Sequence, residues 1–389
     1  MNNYFNDTKT AFSLKTDAEL DRAYFLFKMI KSEPLVRIGT AVTKFALKAH
    51  MPVEQLIRAS VFDHFCGGVT EEDCMGPIDK MYTKRVHAVL DYSVEGKEDE
   101  QQFDLAVEKT LTSIDFAKEK KSIPFAVFKP TGFGRFALYE KLGAGKELTA
   151  QEQHEWKRVL DRFHKVCTVA LEKDVPLLID AEESWMQDEA DRLIESLMEK
   201  YNTQKAIVFN TLQMYRWDRL DYLKALYERS KAKGYIIGMK IVRGAYMEKE
   251  RKRAAENGYP SPICADKPAT DKNYNEAIEF MLSHDRLALF AGTHNEESSY
   301  LAMKIAEEKG VAKDHPNLWF GQLYGMSDHI SFNLAKEGYN VAKYLPFGPV
   351  RDVMPYLIRR AEENTSVAGQ TNRELELLKA ERKRRKAAR

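Results

Sequence analysis

The stretch that decides the fold runs through VPLLID (175–180), KAIVFN (205–210) and YIIGMKIV (235–242), three apolar, β-rich runs with little polar alternation. A strand with one wet face alternates apolar and polar residues. Runs without that alternation are covered on both faces, as in a parallel sheet under helices. Working outward, the same kind of run recurs upstream at RVHAVLDY (85–92) and PFAVFK (124–129). Downstream it recurs at RLALFAG (286–292), NLWFGQL (317–323) and VAKYLP (341–346). Nearly every gap between these runs holds an amphipathic helical stretch. Two gaps open with the capping-box pattern, Thr149 with Glu152 and Ser184 with Gln187, in which side chains satisfy free N–H groups at a helix start. Eight strand-and-helix units across about 280 residues predict an α/β fold, a (β/α)8 barrel rather than an open sheet.

Around this repeat the chain divides into an N-terminal helical arm (1–75), the barrel (76–366) and a basic tail (367–389). Leu20, Ala23, Tyr24 and Phe27 repeat at helical spacing in the arm, which is expected to end near Gly76-Pro77. The closing KAERKRRKAAR offers almost nothing apolar to bury, so a solvated, frayed tail is expected. Lys+Arg total 60 and Asp+Glu 59 in 389 residues, a balance that argues against nucleic acid held through a general field. Cys66, Cys74, Cys167 and Cys264 are too scattered for a disulfide framework, which favours a reducing compartment. The first residues read as neither a signal nor a transit peptide, and no run reaches the ~18 apolar residues of a membrane span. Cytoplasm, or the inner face of a membrane, is the expected location.

Barrels carry their chemistry at the C-terminal ends of the strands. Those positions hold Lys129, Asp180 with Glu182, Gln213, Lys240 with Arg243, Thr293-His294-Asn295, Gln322 and Tyr344. After the eighth strand comes FGPVRDVMPYLIRRAEEN (347–364), where Pro355 is expected to open a helix. Met354, Leu357, Ile358 and Ala361 form its apolar stripe, and Tyr356, Arg359, Arg360 and Glu363 share another face. Two guanidiniums on one face suit a carboxylate held bidentately, with Tyr356 over an apolar ligand body. The plain alternative is a solvent-facing Arg359–Glu363 pair worth a few tenths of a kcal/mol. The four tryptophans, at 156, 185, 217 and 319, read as packing residues. No GxGxxG follows any strand, GFGR (132–135) and GAGK (143–146) being the nearest, and there is no Walker loop. Asp180, Glu182, His294 and His329 suggest a metal-dependent hydrolase, but the expected HxH pair near the first strand is missing, so no metal is expected. A Schiff-base lyase using Lys129 stays open as the alternative chemistry.

Five motifs, in order and on the expected strands, carry a resemblance: DAEE (180–183), KIVRGAY (240–246), AGTHN (291–295), GQLYGM (321–326) and YLPFGPVRDVMPYLIRRAEEN (344–364). Together they resemble the proline dehydrogenase family, from about residue 80 to 366, in its single-activity eukaryotic form. Bacterial bifunctional relatives more often exchange the two cations of K-x-V-R-G-A-Y. The resemblance implies an FAD-dependent barrel that oxidises L-proline to Δ1-pyrroline-5-carboxylate and passes electrons to a quinone. It also implies peripheral contact with a membrane and handover to a separate pyrroline-5-carboxylate dehydrogenase. It implies that Arg359, Arg360 and Lys129 take the carboxylate, that Tyr356 and Leu323 pack on the ring, and that Asp180 and Tyr246 act in or shape catalysis. FAD would be contacted by Ala181, Gln213, Lys240, Arg243, Gly244, Ala245, Thr293, His294, Asn295, Gln322 and Glu363. The exchanged cations leave open whether Lys240 or Arg243 meets the ring or the pyrophosphate. Relatives that use hydroxyproline have a smaller serine where Tyr344 stands, so proline is the expected substrate.

Overall fold

The computed structural model describes residues 4–49, 54–93, 98–366 and 368–388. All eight apolar runs are strands: β1 (Val86–Tyr92), β2 (Phe125–Phe128), β3 (Leu177–Ile179), β4 (Val208–Gln213), β5 (Ile237–Val242), β6 (Leu287–Gly292), β7 (Leu318–Leu323) and β8 (Val341–Phe347). They close a barrel in chain order, and the registered pairs are parallel, as the lack of alternation requires. Every residue of β4 and of β8 is buried.

Two compact units make up the chain. One comprises Gly96–Thr293 and Glu297–Gly321. Within it the Phe125 ring meets the edges or faces of Phe209, Phe290 and Trp319 at 5.1–5.7 Å between centroids. Glycine makes room for these rings: a Cβ at Gly321 would lie 2.2 Å from the Phe290 ring. The helix Ala150–Lys173 starts with the expected capping box, Glu152 N donating to Thr149 Oγ1 and Thr149 N to Glu152 Oε2. The second expected box is not formed. Glu183 is the N-cap of Ser184–Tyr201, and the Ser184 N–H and hydroxyl both donate to buried Glu250 at 2.6 Å. A carboxylate accepts both donors at once, which the amide of Gln187 does not match; Gln187 instead accepts from the Glu182 N–H. Trp217 is not a packing residue either: it is 62% exposed, with its indole N–H on the Ser261 carbonyl.

The other unit comprises Met1–Glu95, His294–Glu296 and Gln322–Arg389. Its core joins Phe12, Leu20, Phe27, Phe62 and Phe65 of the arm to Val353, Met354, Tyr356, Leu357, Leu377 and Leu378 near the C-terminus. Gly76-Pro77, where the arm is expected to end, sits in the first turn of the helix Met75–Tyr82. The basic stretch, expected to fray, is the helix Ala368–Ala387. Several of its charges are matched, while Lys379, Lys383 and Lys386 are exposed. Arg382 pairs with Asp21, Arg385 with Asp17 and with the Phe12 and Lys15 carbonyls, and buried Glu381 accepts from Thr8, Arg384 and Arg385. The preceding helix runs Val350–Ser366, so Pro355 lies inside it rather than opening it. Among the described residues no helix is long and apolar enough to cross a membrane.

Candidate active site

At the strand ends of the first unit, carboxylates and cations are interlocked. Lys240, fourth residue of β5 and 4% exposed, pairs with Asp180 just past β3. Two residues on, buried Glu182 accepts from the Thr131 N–H at 3.0 Å and from its hydroxyl at 2.6 Å. Thr131 belongs to the turn after β2, so Glu182 ties that turn, and Lys129 before it, to the end of β3. Burial raises the Glu182 carboxyl to about 7, although the Thr131 donors and the Lys129 charge oppose the rise. Gln213 ends β4, 3% exposed.

Arg243 is held by three partners. Nε donates to Asp271 at 2.7 Å, Nη1 to the Thr293 hydroxyl at 2.7 Å and Nη2 to the Ser298 hydroxyl at 2.9 Å, with the guanidinium 4.4 Å over the Tyr274 ring. Only a planar fork satisfies these directions together. The two cations of KIVRGAY are therefore anchored differently, Lys240 on one carboxylate and Arg243 in a knot that includes Thr293. Gly244 follows with φ +124, and a Cβ there would lie 2.5 Å from the Tyr215 ring, so only glycine fits. Ala245 is next, and Tyr246 caps the helix Met247–Asn257. Ala181, between Asp180 and Glu182, is half-buried.

In the second unit, His294 and Gln322 rest on one turn. His294 Nδ1 lies 2.9 Å from Ser327 Oγ, and Gln322 Oε1 accepts from the Ser331 hydroxyl at 2.8 Å. Asn295 is half-buried beside them. Tyr356 and Leu323, expected against one ligand ring, do share one apolar cluster. Tyr344 lies in β8, 8% exposed, its carbonyl accepting from Tyr324 N. Arg359 is half-buried on the helix Val350–Ser366. Arg360 and Glu363 lie on the same helix with side chains outside the described residues, as does that of Ala361.

Buried charges that strand-end reasoning passed over lie beneath. Lys343, 1% exposed, pairs with Asp328 at 2.8 Å and donates to the Met326 carbonyl at 2.6 Å; Lys15 of the arm pairs with the same carboxylate at 3.1 Å. Glu374 accepts from the Ser327 N–H. The one available signal was the lysine inside the apolar run VAKYLP, where a strand buried on both faces should hold none without a partner.

Comparison with known proteins bears on this arrangement. The chain is 38% identical to carbapenem antibiotics biosynthesis protein CarD of Pectobacterium carotovorum subsp. carotovorum, across 82% of this chain and 83% of that one. It is 30% identical to mitochondrial proline dehydrogenase 1 of Dictyostelium discoideum, across 97% and 74%. In fold it resembles proline utilization A (PutA) from Bdellovibrio bacteriovorus, solved as the form inactivated by N-propargylglycine, with a TM-score of 0.72 at 20% identity over 95% of this chain. It spans only 40% of that longer chain. The family model described as proline dehydrogenase matches residues 74–373, from before β1 to beyond the helix that carries Arg359. This chain belongs to the proline dehydrogenase family.

Proposed function

We propose that the chain oxidises L-proline to Δ1-pyrroline-5-carboxylate, with FAD as hydride acceptor and a membrane quinone as the next acceptor. The observation that carries this reading is the family match across all eight strands and on through the helix bearing Tyr356, Arg359 and Arg360.

The residues at the strand ends suit FAD by their chemistry. Gln213, Lys240, Arg243, Thr293, Asn295 and Gln322 supply N–H, O–H and cationic groups, several of them buried, that match carbonyl and pyrophosphate oxygens, and His294 offers its ring. Ala181, Gly244, Ala245 and Glu363 are assigned by resemblance alone. When bound, FAD supplies a two-electron acceptor at flavin N5.

The substrate side is the work of this chain's own groups. Arg359 and Arg360 hold the proline carboxylate by charge-assisted hydrogen bonds, and Lys129 adds a third cation. Tyr356 and Leu323 pack on the pyrrolidine ring and exclude water. With FAD bound, a hydrogen on the ring carbon next to nitrogen and away from the carboxylate would leave as hydride, the nitrogen lone pair closing the C=N bond and the N–H proton passing to solvent. That lone pair is available only if the amine has first lost its extra proton. Asp180, fixed by Lys240, and Tyr246 shape the site in which this happens. Electrons leaving toward a quinone imply contact with a bilayer surface from the cytoplasmic side. The product is consumed by a separate pyrroline-5-carboxylate dehydrogenase.

The test is a visible spectrum of the purified protein followed by anaerobic L-proline. Flavin bands that bleach on proline are the expected result. Bound flavin that proline leaves oxidised would overturn the substrate. A protein that neither carries nor takes up FAD would overturn the reading and restore the lyase, which borohydride trapping at Lys129 would detect.

A further inference from the structure

His294 is held through both ring nitrogens. Nδ1 lies 2.9 Å from Ser327 Oγ, and Nε2 faces the Leu323 N–H at 3.4 Å. A backbone N–H can only donate, so Nε2 accepts, and the proton sits on Nδ1 and is donated to Ser327. Ser327 has φ +51, a left-handed conformation that side-chain-bearing residues adopt at a cost, and it is 5% exposed. Its N–H donates to Glu374 Oε2 at 3.2 Å, and its carbonyl accepts from the Ile330 and Ser331 N–H groups. Ser331 in turn donates to Gln322. Glu374 comes from the helix Ala368–Ala387 and is 6% exposed. Two residues assigned to FAD thus rest on one turn, and that turn hangs on the C-terminal helix.

A turn needing only this backbone shape would be better served by glycine, as at Gly325 two residues earlier, where φ is +78. The hydroxyl at 327 is kept against that preference, and what it touches is His294. We propose that Ser327 and Glu374 are positioning residues for the cofactor site: the C-terminal helix, through Glu374 and the left-handed Ser327, sets the orientation of His294. This rests on the assignment of His294 to FAD given above.

The test separates positioning from folding. Ser327→Gly removes the hydroxyl while relieving the strained backbone, so its thermal midpoint without FAD should equal or exceed that of the wild type. Its FAD dissociation constant, from titration of the full-length protein, should rise about three- to tenfold, and the visible bands of bound flavin should shift. Glu374→Gln keeps an oxygen for the Ser327 N–H and should bind FAD nearly as the wild type does. Glu374→Leu should behave like Ser327→Gly. A Ser327→Gly protein with wild-type FAD affinity and an unshifted spectrum would sink the proposal and leave the cofactor reading intact. A folded wild type that takes up no FAD would remove that reading, and the proposal with it.

Discussion

Asp328→Asn should be among the most destabilising single changes available in this chain. The carboxylate is 6% exposed and bonded to two ammonium groups, Lys343 at 2.8 Å and Lys15 at 3.1 Å. Burial alone would raise its pKa, but the Lys15 and Lys343 charges overcome that and hold the carboxyl well below the usual range. Removing one member of a buried pair costs about 3–5 kcal/mol, because the partner stays buried and uncompensated. The two partners differ here. The Lys15 side chain is 24% exposed and can turn to water, whereas that of Lys343 is 1% exposed and cannot. Lys343 keeps the Met326 and Leu323 carbonyls as acceptors, which places the expected cost near the lower end, about 3 kcal/mol. The sign with pH follows from the depressed carboxyl. Its contribution is present above the ordinary carboxylate range, about pH 4, and is lost as pH falls toward the lower native value. Urea unfolding of both proteins at pH 7 and near pH 3 measures this, the denaturant slope checking that the transition is unchanged in kind. Replacing the pair together, Asp328→Leu with Lys343→Met, should cost less than Asp328→Asn alone. A loss below about 1 kcal/mol at pH 7 with an unchanged slope, or a double variant worse than the single, would refute the reasoning.

Other predictions concern the strand ends. Glu182 titrates near 7 in the folded chain against 4.5 ordinarily, so folding favours its protonated form, and that contribution is full below pH 4.5 and lost as pH rises through about 7. Glu182→Gln should flatten this part of the thermal-midpoint profile; a variant whose profile parallels the wild type's between those pH values would contradict the assignment. Arg359→Ala should lower kcat/KM for proline about ten- to hundredfold, mostly through KM, with FAD affinity retained; an unchanged KM would remove Arg359 from the carboxylate site. Tyr344→Ser should narrow the ratio of kcat/KM between proline and 4-hydroxyproline, and an unaltered ratio would count against Tyr344 as the selector.

The barrel was legible because a parallel strand must be apolar on both faces, and that demand writes a short, unalternating run into the sequence each time. The motif at β5 was legible for a similar reason: Gly244 has a backbone only glycine can supply, and Arg243 has three partners in fixed directions. Helix starts were less legible. Ser184 has the sequence of a capping box, yet Glu250, 66 residues away, accepts its two donors. Local pattern cannot reveal a distant carboxylate that competes for the same groups. Pro355 misled in the same way: it fits a first turn, but buried Val350 and Val353 carry the helix start back across it.

The C-terminal helix shows the limit most clearly. Lys and Arg dominate its last turns, and its apolar residues, Leu375, Leu377 and Leu378, make a cluster rather than a stripe at helical spacing. By pattern alone it has no face to bury. It is nevertheless fixed, because Asp17 and Asp21 lie near the other end of the chain and meet Arg385 and Arg382, while Leu377 and Leu378 enter the core that the arm builds with Met354 and Leu357. Single surface ion pairs contribute little, about 0–1 kcal/mol each. Buried Glu381 holding Thr8, Arg384 and Arg385 together is a different case, since none of its partners can be removed without leaving a charge short of donors. The arm and the C-terminal helix therefore stabilise each other, and their shared core also contains Tyr356. Thr8→Ala together with Arg385→Ala should loosen this helix first. Hydrogen exchange would show protection lost in residues 368–387 before any strand, and unchanged protection there would mean that the two leucines alone suffice.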